Sequence, residues 1–70
     1  MGTLRILVGE KIRFYRQQLG LSQESFAEMA EINKNYLGNL ELGKQTPSVA
    51  IIKKIANAVN VSMSEFFKDL

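Results

Sequence analysis

A chain of 70 residues, 46% hydrophobic and 23% charged, with one proline and five glycines, has the make-up of one folded domain rather than a linker. It contains no cysteine and no histidine, which excludes disulfides, thiolate zinc sites, cysteine nucleophiles and histidine bases together. Its net charge of +2 is too small to identify a polyanionic partner, and runs such as Val49-Ala50-Ile51-Ile52 are too short to span a bilayer. No metal, cofactor or membrane partner is expected. A small domain without disulfides is expected in a reducing, cytoplasmic compartment, and Gly9-Glu10-Lys11 interrupts any signal-peptide pattern after Ile6-Leu7-Val8.

In chain order, Val8, Ile12, Tyr15 and Leu19 share one face of a first helix that Gly20 is suited to end. Residues 1–7 extend that helix toward the N-terminus, and Gly9 weakens its interior. Ser22 is a good N-cap for a second helix with Phe26, Met29 and Ala30 on its apolar edge. Glu31-Ile32 makes a tight connection, Asn33 caps a third helix running to about Leu42, and Gly43 ends it. Lys44 to Pro47 form a loop. Ser48 caps a fourth helix carrying Ile52, Ile55, Ala56 and Val59, with Asn60 as its stop. Ser62-Met63-Ser64-Glu65 is a capping box that opens a short fifth helix. No stretch alternates with period two, so the fold class is all-α, one domain over residues 1–70.

The charge distribution adds a condition. Residues 1–21 carry four basic groups and one acid, whereas residues 22–44 carry four acids and two lysines. If the middle of the chain meets a polyanion, its acids must face elsewhere.

The two helices between Ser22 and Leu42 are joined by so few residues that a steep crossing is expected, not an antiparallel hairpin. Their apolar residues, Phe26, Ala30, Ile32, Leu37 and Leu40, have the spacing of a helix-turn-helix, with the small Ala27 where the helices pass closely. The text LGLSQESFAEMAEINKNYLGNLELGK resembles the Cro/repressor-type (XRE-type, lambda-repressor-like) family of DNA-binding proteins. So do the Pro47-Ser48 start of the fourth helix and Val61-Ser62 leading into Glu65-Phe66-Phe67. The resemblance spans about Val8 to Phe67 and implies a compact five-helix domain. One departure stands out: Glu31 occupies the turn position where this family usually has glycine, and a left-handed backbone there would be strained by about a kcal/mol.

Arg16 and Glu41 both fall toward the core on their helical wheels, and a half-buried carboxylate wants a cation. The resemblance implies that these two form a structural salt bridge.

With Leu37 and Leu40 inward, the third helix presents Asn35, Gly38 and Asn39 outward, with Lys34 and Tyr36 on its flanks. An asparagine amide can pair with the adenine edge in the major groove, and a lysine suits the acceptors of guanine. The resemblance implies base reading by Lys34, Asn35 and Asn39, and phosphate contact by Gln23. Asn33, Tyr36 and Lys44 are further phosphate candidates. Gly38 would let the backbone approach DNA closely. Each has a plainer explanation: Asn33 as a cap, Tyr36 as packing, Lys34 as a solvated surface lysine, Gly38 as a tolerated glycine.

Leu7, Phe14, Ile51, Phe66, Phe67 and Leu70 fall off the main apolar faces. Helix 5 folding back covers some of them. The rest would form a homodimer patch, with Ile51, Phe66 and Phe67 as the expected contacts. A dimer would set two recognition helices about 34 Å apart, on successive major grooves of a pseudo-palindromic operator. The expected function is therefore sequence-specific regulation of transcription by binding double-stranded DNA, without enzymatic activity, by blocking or recruiting RNA polymerase. Restriction–modification controller proteins and phage or plasmid repressors are small members of the family, and the sequence does not separate them. Two alternatives stay open: an antitoxin-like or regulatory protein-interaction module, and the DNA-binding segment of a longer regulator.

Overall fold

The computed structural model describes residues 3–70, and five helices follow one another: α1 (Thr3–Gln18), α2 (Gln23–Ala30), α3 (Lys34–Glu41), α4 (Val49–Ala58) and α5 (Met63–Phe66). Among the described residues there is no strand. The first two residues of the expected N-terminal extension lie outside the described residues; from Thr3 onward that extension is the start of α1.

Local chemistry explains where the helices begin. Ser22, Asn33, Ser48 and Ser62 each hold an extended backbone, and each side-chain oxygen accepts from an N–H in the following turn. Such caps contribute about 1 kcal/mol each. At Ser62 the Oγ accepts from the Glu65 N–H at 3.0 Å, which is one arm of the expected box; the Glu65 side chain is exposed.

The ends share a second device. Gly20, Glu31, Gly43 and Asn60 all take a left-handed backbone. In each case the next residue's N–H reaches back to a carbonyl of the last turn: Leu21 to Arg16, Ile32 to Ala27, Lys44 to Asn39 and Val61 to Ala56, at 2.9–3.2 Å. This is the Schellman arrangement, which leaves an apolar residue after the left-handed one free to pack against the helix it closes. Leu21, Ile32 and Val61 are indeed half-buried. Lys44 is the exception and is exposed. Glu31 holds the left-handed conformation (φ 60°) despite its side chain.

The core is one cluster fed by all five helices, built around Phe26, Phe66, Ile12, Leu37, Leu40 and Ile55. α1 lies against α3 so closely that a Cβ on Gly9 would come within 2.2 Å of the Leu40 carbonyl oxygen. Gly9, expected only to weaken its helix, is what lets α1 and α3 touch.

Several apolar expectations need correcting. Leu19 is exposed because α1 ends at Gln18, so the helical spacing no longer aims it inward. Met29 is also exposed, and Val59 only half-buried. Phe66, expected at a dimer surface, is fully buried (0% exposed) and stacks on Tyr15 with ring centres 5.8 Å apart. A side chain with no accessible surface has nothing to present to a second copy. Its neighbour Phe67 packs edge-on against it and remains 39% exposed.

Candidate nucleic-acid interface

The inward side of α3 is set by Leu37, Leu40 and Glu41, all buried. At 100° per residue the opposite direction falls on Asn35 and Asn39, with Gly38 on the side between Asn35 and Glu41. Lys34 and Asn35 are exposed, Asn39 and Gly38 are half-buried, and Gly38 faces the Gln23 side chain at the start of α2. Asn35 and Asn39 thus share the outer side of one short helix, with Lys34 exposed on the flank of its first turn. Tyr36 sits on the flank, half-buried against the core.

Gly38 differs from the chain's other described glycines. Gly20 and Gly43 need their left-handed backbones, and Gly9 needs its missing side chain. A Cβ on Gly38 would meet nothing nearer than the Gln23 side chain, at 3.8 Å, which is ordinary contact. Glycine inside a helix costs about 1 kcal/mol against alanine. Internal packing gives no reason for it.

Gln23 opens α2, next to the outer side of α3. In the first turn of α2 the leading N–H groups precede the first intrahelical bonds, and the helix dipole favours an anion there. Ser22 Oγ takes the N–H of Ser25, which leaves those of Gln23 and Glu24 at the helix mouth. Asn33 is committed as a cap: its Oδ1 accepts from the N–H groups of Asn35 and Tyr36 at 2.8 and 3.1 Å. Only its amide NH2 remains for another partner. Lys44 has its backbone tied to α3 through Asn39 while its side chain stays in solvent. A lysine stands where the other three helix ends place an apolar residue.

Behind this surface lies an ion pair. Arg16 Nε donates to Glu41 Oε2 at 2.7 Å and Nη2 to Oε1 at 3.1 Å, a two-pronged arrangement. Arg16 Nη1 also donates to the Leu21 carbonyl at 2.9 Å, so one guanidinium joins α1, the α1–α2 loop and the end of α3. The side chains are 13% and 3% exposed, and removing one partner of such a buried pair costs about 3–5 kcal/mol. The hydrogen bond to Glu41 raises the Arg16 pKa against the lowering effect of desolvation, and the Glu41 charge adds to the rise. With its pKa raised above the ordinary value, the Arg16 guanidinium stays charged throughout the neutral range.

Glu24, Glu28 and Glu31 are exposed, and Glu41 is neutralised inside. Of the four acids in residues 22–44, one is thus removed from the surface by burial against Arg16. That pairing spans 25 residues of chain, and the additional hydrogen bond from Gln23 to Glu41 had no signal in the sequence pattern.

Comparison with known proteins agrees with this fold. Residues 12–66 match the helix-turn-helix family HTH_3. The control protein C.MunI of Mycoplasma sp. is 32% identical over 71 aligned positions, covering 100% of this chain and 96% of its own. The HTH-type transcriptional regulator YazB of Bacillus subtilis (strain 168) is 40% identical over 57 residues, 81% of this chain and 83% of its own. The crystal structure of the restriction-modification controller protein C.AhdI from Aeromonas hydrophila superposes with a TM-score of 0.87 at 31% identity, over 93% of this chain and 98% of that one. With a five-helix fold shared along almost its full length, the chain belongs to the HTH_3 helix-turn-helix family of DNA-binding transcription regulators.

Proposed function

We propose that this protein is a sequence-specific regulator that inserts α3 into the major groove of a pseudo-palindromic operator. The observation that carries this is the outer side of α3: two asparagines beside a glycine with no internal duty, with an exposed lysine on the flank. Lys34, Asn35 and Asn39 read base edges. Gln23, Lys44, Tyr36 and the free amide of Asn33 contact phosphates on either side, which sets register without reading sequence. The full-length similarity to C.MunI and C.AhdI favours the role those names carry, a controller of a restriction–modification system. Acting by occupancy in the cytoplasm, it blocks or recruits RNA polymerase according to where its sites lie. Selection from random duplex DNA is expected to yield two similar half-sites about one helical turn, ~34 Å, apart. A pool that never converges on a sequence would sink this reading.

The half-site geometry requires two copies. The α4–α5 side supports a homodimer: Val49, Phe67 and Leu4 are exposed and border one apolar cleft of about 360 Å³, shared by the starts of α1 and α4. Phe67 is the leading contact. Ile51 is half-buried against the core and has less to contribute. Sedimentation at micromolar concentration is expected to give a dimer for the native chain and a monomer for Phe67→Asp. A native monomer that binds DNA without cooperativity would remove the dimer from the proposal.

A further inference from the structure

Glu41 has a second partner, which its pairing with Arg16 does not require. Gln23 Nε2 donates to Glu41 Oε1 at 3.0 Å. A carboxylate can only accept, so of the two ends of the Gln23 amide the NH2 must face Glu41. That choice orients the whole group. The amide lies over Gly38, with its oxygen 3.8 Å and its nitrogen 4.0 Å from where a Cβ would stand. One proton of Nε2 is held by Glu41; among the described residues the nitrogen makes no other hydrogen bond.

We propose that Glu41 is a positioning residue for DNA binding: by holding one N–H of Gln23, it presents the other to a backbone phosphate beside the first turn of α2. This rests on the reading that α2 and α3 face DNA. An acid one side chain away from a phosphate would ordinarily repel it. Here Arg16 covers both carboxylate oxygens, and Glu41 is almost wholly buried. The ion pair therefore makes an acid usable as an orienting acceptor behind a surface that binds a polyanion. Freezing the Gln23 side chain before binding also removes an ordering cost from the complex.

A purely structural Glu41 predicts the opposite sign. Once the fold is intact, deleting a negative charge near DNA should leave binding unchanged or tighten it; loss of positioning should weaken it. Binding of the 70-residue chain to a mixed-sequence duplex is measured at roughly 50 mM salt, where phosphate contacts dominate. The temperature is one at which circular dichroism shows every variant folded. Gln23→Ala is expected to weaken binding about five- to tenfold, as for one lost hydrogen bond. Glu41→Gln, whose single carbonyl oxygen is drawn to Arg16 and turns an NH2 toward Gln23, is expected to weaken it about threefold or more, with no further loss in the double variant. Because Glu41→Gln can also impair folding, a second measurement uses the native chain. The Gln23 side-chain amide is expected to have an NMR order parameter near the rigid value of about 0.85. Tighter binding by folded Glu41→Gln, additive losses, or a native order parameter below about 0.6 would each overturn the inference while DNA binding stood. A native chain that ignored duplex DNA would remove the functional reading itself.

Discussion

Gly9 and Gly38 both interrupt helices, at the same cost of about 1 kcal/mol against alanine, and they do so for opposite reasons. Around Gly9 the space is taken: the Leu40 and Glu41 carbonyl oxygens lie 2.2 and 3.0 Å from its missing Cβ. Around Gly38 the space is open apart from the end of the Gln23 side chain. The first glycine is explained within the molecule, where α1 must touch α3. Nothing within the molecule explains the second, which fits the proposed approach of DNA from outside. The same short helix thus has an inward side fitted to a neighbour already present and, on the proposed reading, an outward side fitted to DNA.

The strongest way to break this comparison is Gly9→Ala. The obstacles are backbone atoms, which cannot rotate aside, so α1 and α3 must separate. Overpacking of this kind costs about 1–3 kcal/mol, occasionally more. In so small a domain a loss of ~2 kcal/mol lowers the melting temperature by roughly 8–16 °C, which thermal denaturation followed by circular dichroism will measure. Gly38→Ala should do the reverse. Alanine fits, the helix gains about 0.5–1 kcal/mol, and the melting temperature rises, while affinity for the selected operator falls by more than roughly tenfold, equivalent to ~1.4 kcal/mol. A variant that is both more stable and equally tight in binding would return Gly38 to the class of tolerated glycines.

The outward side can itself be divided. Asn39→Ala should cost about 1–3 kcal/mol on the preferred operator and relax the choice of base at one position. Lys44→Ala should weaken all duplexes alike and reduce the salt dependence by about one unit of slope. Competition binding against single-base operator variants, repeated across salt concentrations, distinguishes the two. Equal effects of both substitutions on every sequence would overturn the separation into base-reading and phosphate-contacting residues.

What could be read from the sequence was whatever depends on neighbouring residues. Ser22, Asn33, Ser48 and Ser62 as caps, and Gly20, Gly43 and Asn60 as stops, each express chemistry completed within a few residues. The outward side of α3 was legible for the same reason, since helical spacing alone puts Leu37 and Leu40 opposite Asn35 and Asn39. The illegible parts depend on distant partners. In a four-residue helix, periodicity cannot decide which of Phe66 and Phe67 turns inward; Tyr15, on α1, decides it by stacking on Phe66. Gly9 reads as a defect until Leu40 is placed against it. Gln23 reads only as a phosphate contact until Glu41, 18 positions later, accepts a hydrogen bond from its side-chain amide.

The smallest expected effect lies between the two sides of α3, in the turn that aims them. Glu31 holds φ 60°, a conformation that costs a residue with a side chain roughly 1–2 kcal/mol. Its N–H still donates to the Glu28 carbonyl at 3.1 Å, that of Ile32 closes the Schellman ring on Ala27, and Lys54 Nζ reaches the Glu31 carbonyl at 3.4 Å. All of these use backbone atoms of the turn, so glycine at position 31 preserves each of them. Glu31→Gly removes the strain but gives the unfolded chain more freedom, which offsets part of the gain. The net stabilisation should be below about 1 kcal/mol, a rise of at most roughly 8 °C in melting temperature. If the Schellman ring alone sets the angle between α2 and α3, operator affinity should otherwise change only slightly, rising with the loss of one exposed acid near DNA. A stabilised variant whose preferred operator shifts would mean that the Glu31 side chain, and not only its backbone, helps aim the outward side of α3.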